Sequence, residues 1–151
     1  QFPKIGLKIY GAGGEPSITS SNDAVYGDTS LSLNFTGENW GGAFFQFDDE
    51  FLDFSSYSQS NLVFSLKKPD IITDFEIKLE SAEADAKLYI INYTGEDVGN
   101  GFTKYSIPLQ DFTDQGLDLS QMFIPFAIWN PVNSEGAWQG GEVLLDNIHF
   151  D

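Results

Sequence analysis

The sequence predicts an all-β fold: a two-sheet antiparallel β-sandwich, most simply a jelly roll. Two observations carry this. Gly, Asn, Asp and Ser punctuate the chain at roughly regular spacing, and the segments between are short and rich in Phe, Ile, Leu and Tyr. Within those segments apolar and polar residues alternate with the period of two that puts successive side chains on opposite faces of a strand. Helical signals are confined to a single turn at residues 108–112 and room for one turn in the polar connection at 48–60.

Residues 4–10 alternate as a first strand. Gly11, Ala12, Gly13, Gly14, Glu15 and Pro16 form a Gly-rich loop. It is not a phosphate loop, because neither a Lys-Ser/Thr pair nor a helix follows. Ser17–Ser21 reads as a short strand, turned by Asn22-Asp23. In 29–36, Leu31, Leu33 and Phe35 face one way and Ser30, Ser32, Asn34 and Thr36 the other. Gly37-Glu38-Asn39 turns the chain into 40–47. That strand sets Gly41, Ala43, Phe45 and Phe47 against Trp40, Gly42, Phe44 and Gln46. Aromatics on both faces predict that it is covered on both sides.

A polar connection over 48–60 leads to a central strand, Asn61–Lys67, broken by Lys68-Pro69-Asp70. Asp74–Ser81 alternates most cleanly, with Phe75, Ile77 and Leu79 inward and Glu76, Lys78 and Glu80 outward. Residues 86–93 set Leu88 and Ile90 against Lys87, Tyr89, Ile91 and Tyr93. Then come a loop at 94–101, a short strand at 104–107 and the helical turn. The penultimate strand, 122–129, sets Ile124, Phe126 and Ile128 against Phe123, Pro125, Ala127 and Trp129. A long loop at 130–141 precedes a closing strand at 142–151. That makes about nine or ten strands with neither linker nor internal repeat, so residues 1–151 read as one domain.

In the closing strand Leu144, Asp146, Ile148 and Phe150 share a parity, and three apolar members predict a buried face. Asp146 is the exception. A carboxylate there is costly to bury unless it is paired, hydrogen-bonded or bound to a cation. No Lys or Arg follows Lys104. Two readings remain: a hard cation such as Ca²⁺ completed by other oxygens, or a carboxylate that accepts backbone N–H bonds or caps a turn.

Composition narrows the function. The 151 residues hold 41% hydrophobic and 15% aromatic residues, enough for a full-sized core. No apolar run approaches the roughly 20 residues of a membrane-spanning helix. With no cysteine, disulfides and thiolate chemistry are excluded. The net charge of −16 disfavours nucleic acid, anionic membranes and acidic glycans. A neutral partner or a divalent cation fits, as does simple solubility in salty surroundings. Gln1 is no initiator, so either a leader has been removed or the chain is an excised module. The expected setting is secreted or cell-surface, in a bacterium of saline water.

Five stretches in order resemble the galactose-binding-like jelly-roll carbohydrate-binding modules of polysaccharide-degrading enzymes. They are Tyr26-Gly27-Asp28-Thr29-Ser30-Leu31, Trp40-Gly41-Gly42-Ala43, Asp53-Phe54-Ser55-Ser56-Tyr57, Ser106-Ile107-Pro108-Leu109-Gln110-Asp111-Phe112 and Leu145-Asp146-Asn147-Ile148. Together they span about four-fifths of the chain. The resemblance implies a structural Ca²⁺ at the sheet edge. Asp146 would be its main side-chain ligand, Asp28 would add a backbone carbonyl, and Glu15 is the local acid of the first loop.

The resemblance also implies a non-catalytic module that binds a neutral polysaccharide and targets a catalytic domain of the same parent chain. A laminarin-like β-glucan is expected ahead of an agar-type galactan. Sugars are held by aromatic rings on their C–H faces and by planar polar groups on their hydroxyls. The candidates are Trp138 with Gln139 in the long loop, Trp129 with Asn130, Trp40 with Gln46, Tyr89 near Lys87, and the row Glu76 and Lys78. Each has a structural alternative. Trp40 can plug the end of the sandwich, Trp129 can join the core, Tyr89 can cover the sheet, and the charged row can be a solvated face. Two other functions stay open: an accessory domain that only packs on a catalytic neighbour, and a small sandwich hydrolase or lyase using Glu76 or Glu80. The single His149 and the lack of a Gly-x-Ser-x-Gly elbow argue against catalysis.

Overall fold

A computed structural model describes residues 5–151; Lys4, placed in the first strand by the alternation, lies outside them. The strands are β1 (Ile5–Gly11), β2 (Ser17–Ser21), β3 (Ser30–Phe35), β4 (Gly41–Phe47), β5 (Asn61–Lys67), β6 (Asp74–Ser81), β7 (Asp85–Tyr89), β8 (Glu96–Gly99), β9 (Phe102–Pro108), β10 (Met122–Val132) and β11 (Gly141–Phe150). One helix, α1 (Leu109–Thr113), follows β9. The pairings are antiparallel. Sheet A has the order β1-β4-β10-β6-β7 and sheet B the order β2-β3-β11-β5-β9-β8. This is the two-sheet sandwich that the alternation predicts.

The core lies between the sheets. Phe75, Ile77 and Leu79 of β6 meet Leu62, Phe64 and Leu66 of β5 in one buried cluster. Phe64 is fully buried, meets Phe126 edge-on at 5.3 Å and stacks on Tyr105 at 5.6 Å. Burying such a ring is worth roughly 1.5–3 kcal/mol over leaving it exposed.

Several elements depart from the alternation, each for a local reason. The strand expected over 86–93 stops at Tyr89, and a 3₁₀ turn at Ile90–Asn92 rotates the chain. Tyr93 therefore leaves the outward face and donates its hydroxyl to Asp111 at 2.8 Å. Burial, and then this bond to a carboxylate, hold its phenol well above the usual tyrosine range. The loop expected over 94–101 contains β8, a four-residue edge strand whose acids give no apolar signal. The strand begun at Met122 continues to Val132, so the long loop starts later.

Two bulges matter more. Between Ile124 and Ala127 the register with β6 slips by a residue. Pro125 sits in the slip, where its missing N–H breaks no ladder bond. Ile124 therefore joins the outer face with Ala127 and Trp129, opposite to its expected side. In β11 the register slips between Asp146 and His149, and Asn147 takes a left-handed φ of 51°. Asn tolerates that conformation. The slip reverses the parity within the strand. Val143 and Leu145 face the core, and beyond the bulge Ile148 and Phe150 do. Leu144 and Asp146 point away from it.

Candidate functional site

Asp146 is buried and accepts three backbone amides. Its Oδ2 accepts the amides of Val25 (2.8 Å) and Tyr26 (2.9 Å), and Oδ1 accepts the amide of Asn147 (2.9 Å). The backbone-donor reading of this residue is the one observed. Asp28 is exposed, and Glu15 accepts the Gly13 amide at 3.0 Å within the first loop. Asp146, Asp28 and Glu15 do not form a cluster, and among the described residues no three metal-ligating side chains come together. The side chains that the resemblance offers as calcium ligands therefore do not converge here.

The chemistry of interest lies on the outer face of sheet A. Register puts Tyr10, Gly42, Trp129, Glu76 and Tyr89 in one row across all five strands. The next row is Lys8, Phe44, Ala127, Lys78 and Lys87. Beyond it Ile124 pairs with Glu80. A groove of about 420 Å³ crosses the strands over these rows.

Its two halves differ in chemistry. On the β1-β4-β10 side the walls are Tyr10, Trp40, Phe44 and Trp129. Trp40 ends the turn before β4 and stands between Tyr10 (5.6 Å between ring centres) and Trp129 (6.5 Å). Tyr10 is 63% and Trp40 37% exposed. Trp129 lies parallel to Phe44, at 5.8 Å and 17°. It can do so because Gly42 beneath has no side chain: a Cβ there would come within 2.5 Å of the indole. The Trp129 Nε1 is buried and finds no acceptor among the described residues. Uncommon in native folds, such an atom calls for a functional explanation.

On the β6-β7 side the walls are Glu76, Lys78, Glu80 and Lys87. Two acids and two bases sum to zero, in a chain of net charge −16. They are held by one another and by Asp85 beside them. Lys87 Nζ reaches Glu76 Oε1 at 3.1 Å, and Lys78 Nζ reaches Asp85 at 2.9 Å and Glu80 at 3.9 Å. The hydrogen bond to Glu76 raises the Lys87 ammonium above its ordinary value, and the bond from Lys78 lowers Asp85.

Asn130 joins the two halves. It sits in a bulge of β10 with φ of 58°. Its Oδ1 accepts the Gly41 amide at 3.0 Å, and its Nδ2 donates to Glu76 Oε2. One side chain thus fixes the start of β4, beside Trp40, to the charged wall.

Of the residues proposed from sequence, Trp40, Trp129, Asn130, Glu76 and Lys78 line this groove. Gln46 does not; it lies on the outer face of β4 past Phe44. Trp138 and Tyr89 line a neighbouring pocket instead. Sequence reasoning passed over Tyr10, Phe44 and Ile124, while Glu80 and Lys87 stand in it only as neighbours, in the charged row and beside Tyr89. Alternation puts Phe44 on an outward face without singling it out. Tyr10 enters through its register with Gly42, and Ile124 through the bulge.

A family model described as carbohydrate binding domain 30 matches residues 9–151. Among solved structures, the chain is similar to the family 30 carbohydrate-binding module of the cellulosomal cellulase Cel9D-Cel44B of Clostridium thermocellum. Identity is 20% and the TM-score 0.76, over 99% of this chain and 92% of that one. It is also similar to the family 11 module from Clostridium thermocellum in complex with a β-1,3-1,4-mixed-linked tetrasaccharide. There identity is 16% and the TM-score 0.61, over 95% of this chain and 86% of that one. A third likeness is to a β-1,2-glucanase from Parabacteroides distasonis, at 16% identity and a TM-score of 0.61. It covers 97% of this chain and 22% of that one. No curated protein matches the chain.

Proposed function

The chain belongs to the carbohydrate binding domain 30 family, whose members are non-catalytic, and from that premise we propose that its sheet A groove binds a neutral β-glucan. The observation that carries this is the pairing of the two halves. Four aromatic rings offer faces to the apolar C–H surfaces of sugar rings. Four charged groups, two acids and two bases, offer donors and acceptors to hydroxyls. An acidic glycan would meet the field of a strongly acidic protein, and a neutral one would not. The groove crosses the whole sheet, so it takes an internal stretch of chain. The mixed-linked glucan in the family 11 module's complex supports a β-glucan.

Binding is equilibrium stacking and hydrogen bonding with no covalent step. The hydrolase or lyase reading gives way to the family assignment, and Glu76 is occupied by Lys87 and Asn130. The biological role follows as a proposal: a single, secreted or cell-surface module that holds a catalytic domain of the same parent chain on its polysaccharide. The glucanase of which this fold matches about a fifth supports such an arrangement.

Affinity electrophoresis of the chain through gels containing barley mixed-linkage glucan, laminarin, agarose, xylan or alginate tests the reading. Retardation is expected with one or both β-glucans. Retardation in none of the gels sinks the binding function, and retardation by alginate alone contradicts the charge argument.

A further inference from the structure

The groove has a side chamber that its main course does not use. On the same outer face a pocket of about 250 Å³ is lined by Asp74, Tyr89, Val132, Gly136 and Trp138, with Glu76 and Asn130 as the wall it shares with the groove. Register fixes its direction. The groove covers β6 from Glu76 to Glu80. The pocket covers β6 from Asp74 to Glu76, where Asp74 pairs with Val132. It therefore lies along the strands from the groove, while the groove runs across them. A glycan main chain following the groove passes the pocket mouth and does not run into it.

The pocket is built like a sugar site. Trp138 is 42% and Tyr89 39% exposed, so two aromatic faces are open to a ligand. The loop carrying Trp138 is tied down. Val132 and Trp138 form a β-bridge, and the Asn133 side chain accepts the amides of Glu135 (2.9 Å) and Ala137 (3.1 Å). Gly136 turns there at φ of 77°. At the base, Asp74 Oδ1 accepts the amides of Phe75 (2.8 Å) and Ile91 (3.1 Å), which fixes the carboxylate. The Tyr89 hydroxyl donates to Glu76 Oε1 at 3.4 Å, so the two sites share one hydrogen-bonded carboxylate. The volume is below the roughly 300–1,000 Å³ of a pocket for a drug-sized ligand. That leaves room for about one sugar unit.

We propose that this pocket takes a single-sugar branch of the glycan whose main chain lies in the groove, which makes the module selective for branched over linear β-glucan. The inference rests on the groove reading above. Trp138 acts here as a specificity residue, separate from the aromatic half that holds the main chain.

The test compares two probes by calorimetry: a laminarin-type β-1,3-glucan with single β-1,6-linked glucosyl branches, and a linear β-1,3-glucan oligosaccharide of similar length. The wild-type chain is expected to bind the branched probe about tenfold more tightly, the effect of one well-formed contact of about 1.4 kcal/mol. W138A is expected to erase that margin and leave linear binding within about twofold. Y89A serves as a second variant, and thermal midpoints of both show that they fold. W40A is expected to weaken both probes together. Equal binding of the two probes by the wild-type chain overturns the branch pocket and leaves the groove standing. So does a W138A that weakens both equally. A wild-type chain that binds neither overturns the branch pocket, and the groove reading falls with it only if barley mixed-linkage glucan is not bound either.

Discussion

Sheet A carries aromatic rings on both faces, and the two layers have opposite fates. On the inner face Phe75 meets Phe35 and Phe126 meets Phe64 of the facing sheet, and all four rings are buried. On the outer face Tyr10, Trp40, Phe44 and Trp129 pack against one another beside the charged wall, and among the described residues no second layer covers them. Alternation in β4 predicts that both sides are covered; only one is. Apolar residues on a face state that it avoids water, and they do not say what does the covering. Inside, the cover is the protein. Outside, the account assigns that part to a glycan.

Substitutions can separate the layers. The largest effect belongs to the inner one. F64A removes a fully buried ring between Phe126 and Tyr105, and is expected to cost about 3–5 kcal/mol in denaturant unfolding. At roughly 2–4 °C per kcal/mol for a domain of this size, the melting midpoint falls by about 12 °C. Glycan affinity of the folded fraction should not move. An intact midpoint would mean that the inner layer is not the core.

Next comes Asp146, which holds the Val25 and Tyr26 amides against the last strand. D146A leaves those donors unpaired and is expected to cost about 3 kcal/mol, as removal of a charged acceptor does. Because three backbone amides already hold the carboxylate, EDTA is expected to leave the wild-type melting midpoint unchanged. A midpoint that drops with EDTA and returns with Ca²⁺ would restore a metal to this edge.

The outer layer should show the inverse pattern. W40A is expected to change stability by less than about 1 kcal/mol and to cost about 2 kcal/mol of glycan binding, close to thirtyfold, as a central stacking anchor does. A variant that unfolds without losing specific affinity would make Trp40 a plug of the sandwich.

The smallest effect is electrostatic. Lys78 lowers the Asp85 carboxyl below its ordinary value. The stabilisation is therefore present above the unfolded-state value and lost as pH falls through the lower folded-state one. Asp85 is more than half exposed, so D85N should cost well under about 1 kcal/mol near neutrality. That small difference should vanish in acid; a difference that grows on acidification would reverse the assignment.

The fold was legible because alternation survives in most strands; Asp74–Ser81 shows it residue by residue. It failed where the backbone changes phase. Asn147 and the slip at Pro125 each reverse a parity, and a count of two cannot see an extra residue. That is why alternation places Asp146 on a core face and Ile124 on the side opposite to the one it takes. The site was half legible. Trp40, Trp129, Asn130, Glu76 and Lys78 could be named from residue type and parity. Tyr10 could not, because it enters through pairing with Gly42, a contact between residues 32 positions apart. Trp138 was legible as a ligand residue by its polar loop, but only the register shows that it serves a chamber beside the groove.

The most direct test of the central claim is a ¹H–¹⁵N titration of the chain with a β-1,3-1,4-glucan oligosaccharide. The account predicts shifts at the amides of Tyr10, Gly42, Phe44 and Asn130 and at the Trp40 and Trp129 indoles, with Phe64 and the buried strand β5 unmoved. Shifts gathered at the apolar end of the sandwich around Phe47, Phe54 and Phe150, with the sheet A groove silent, would contradict it.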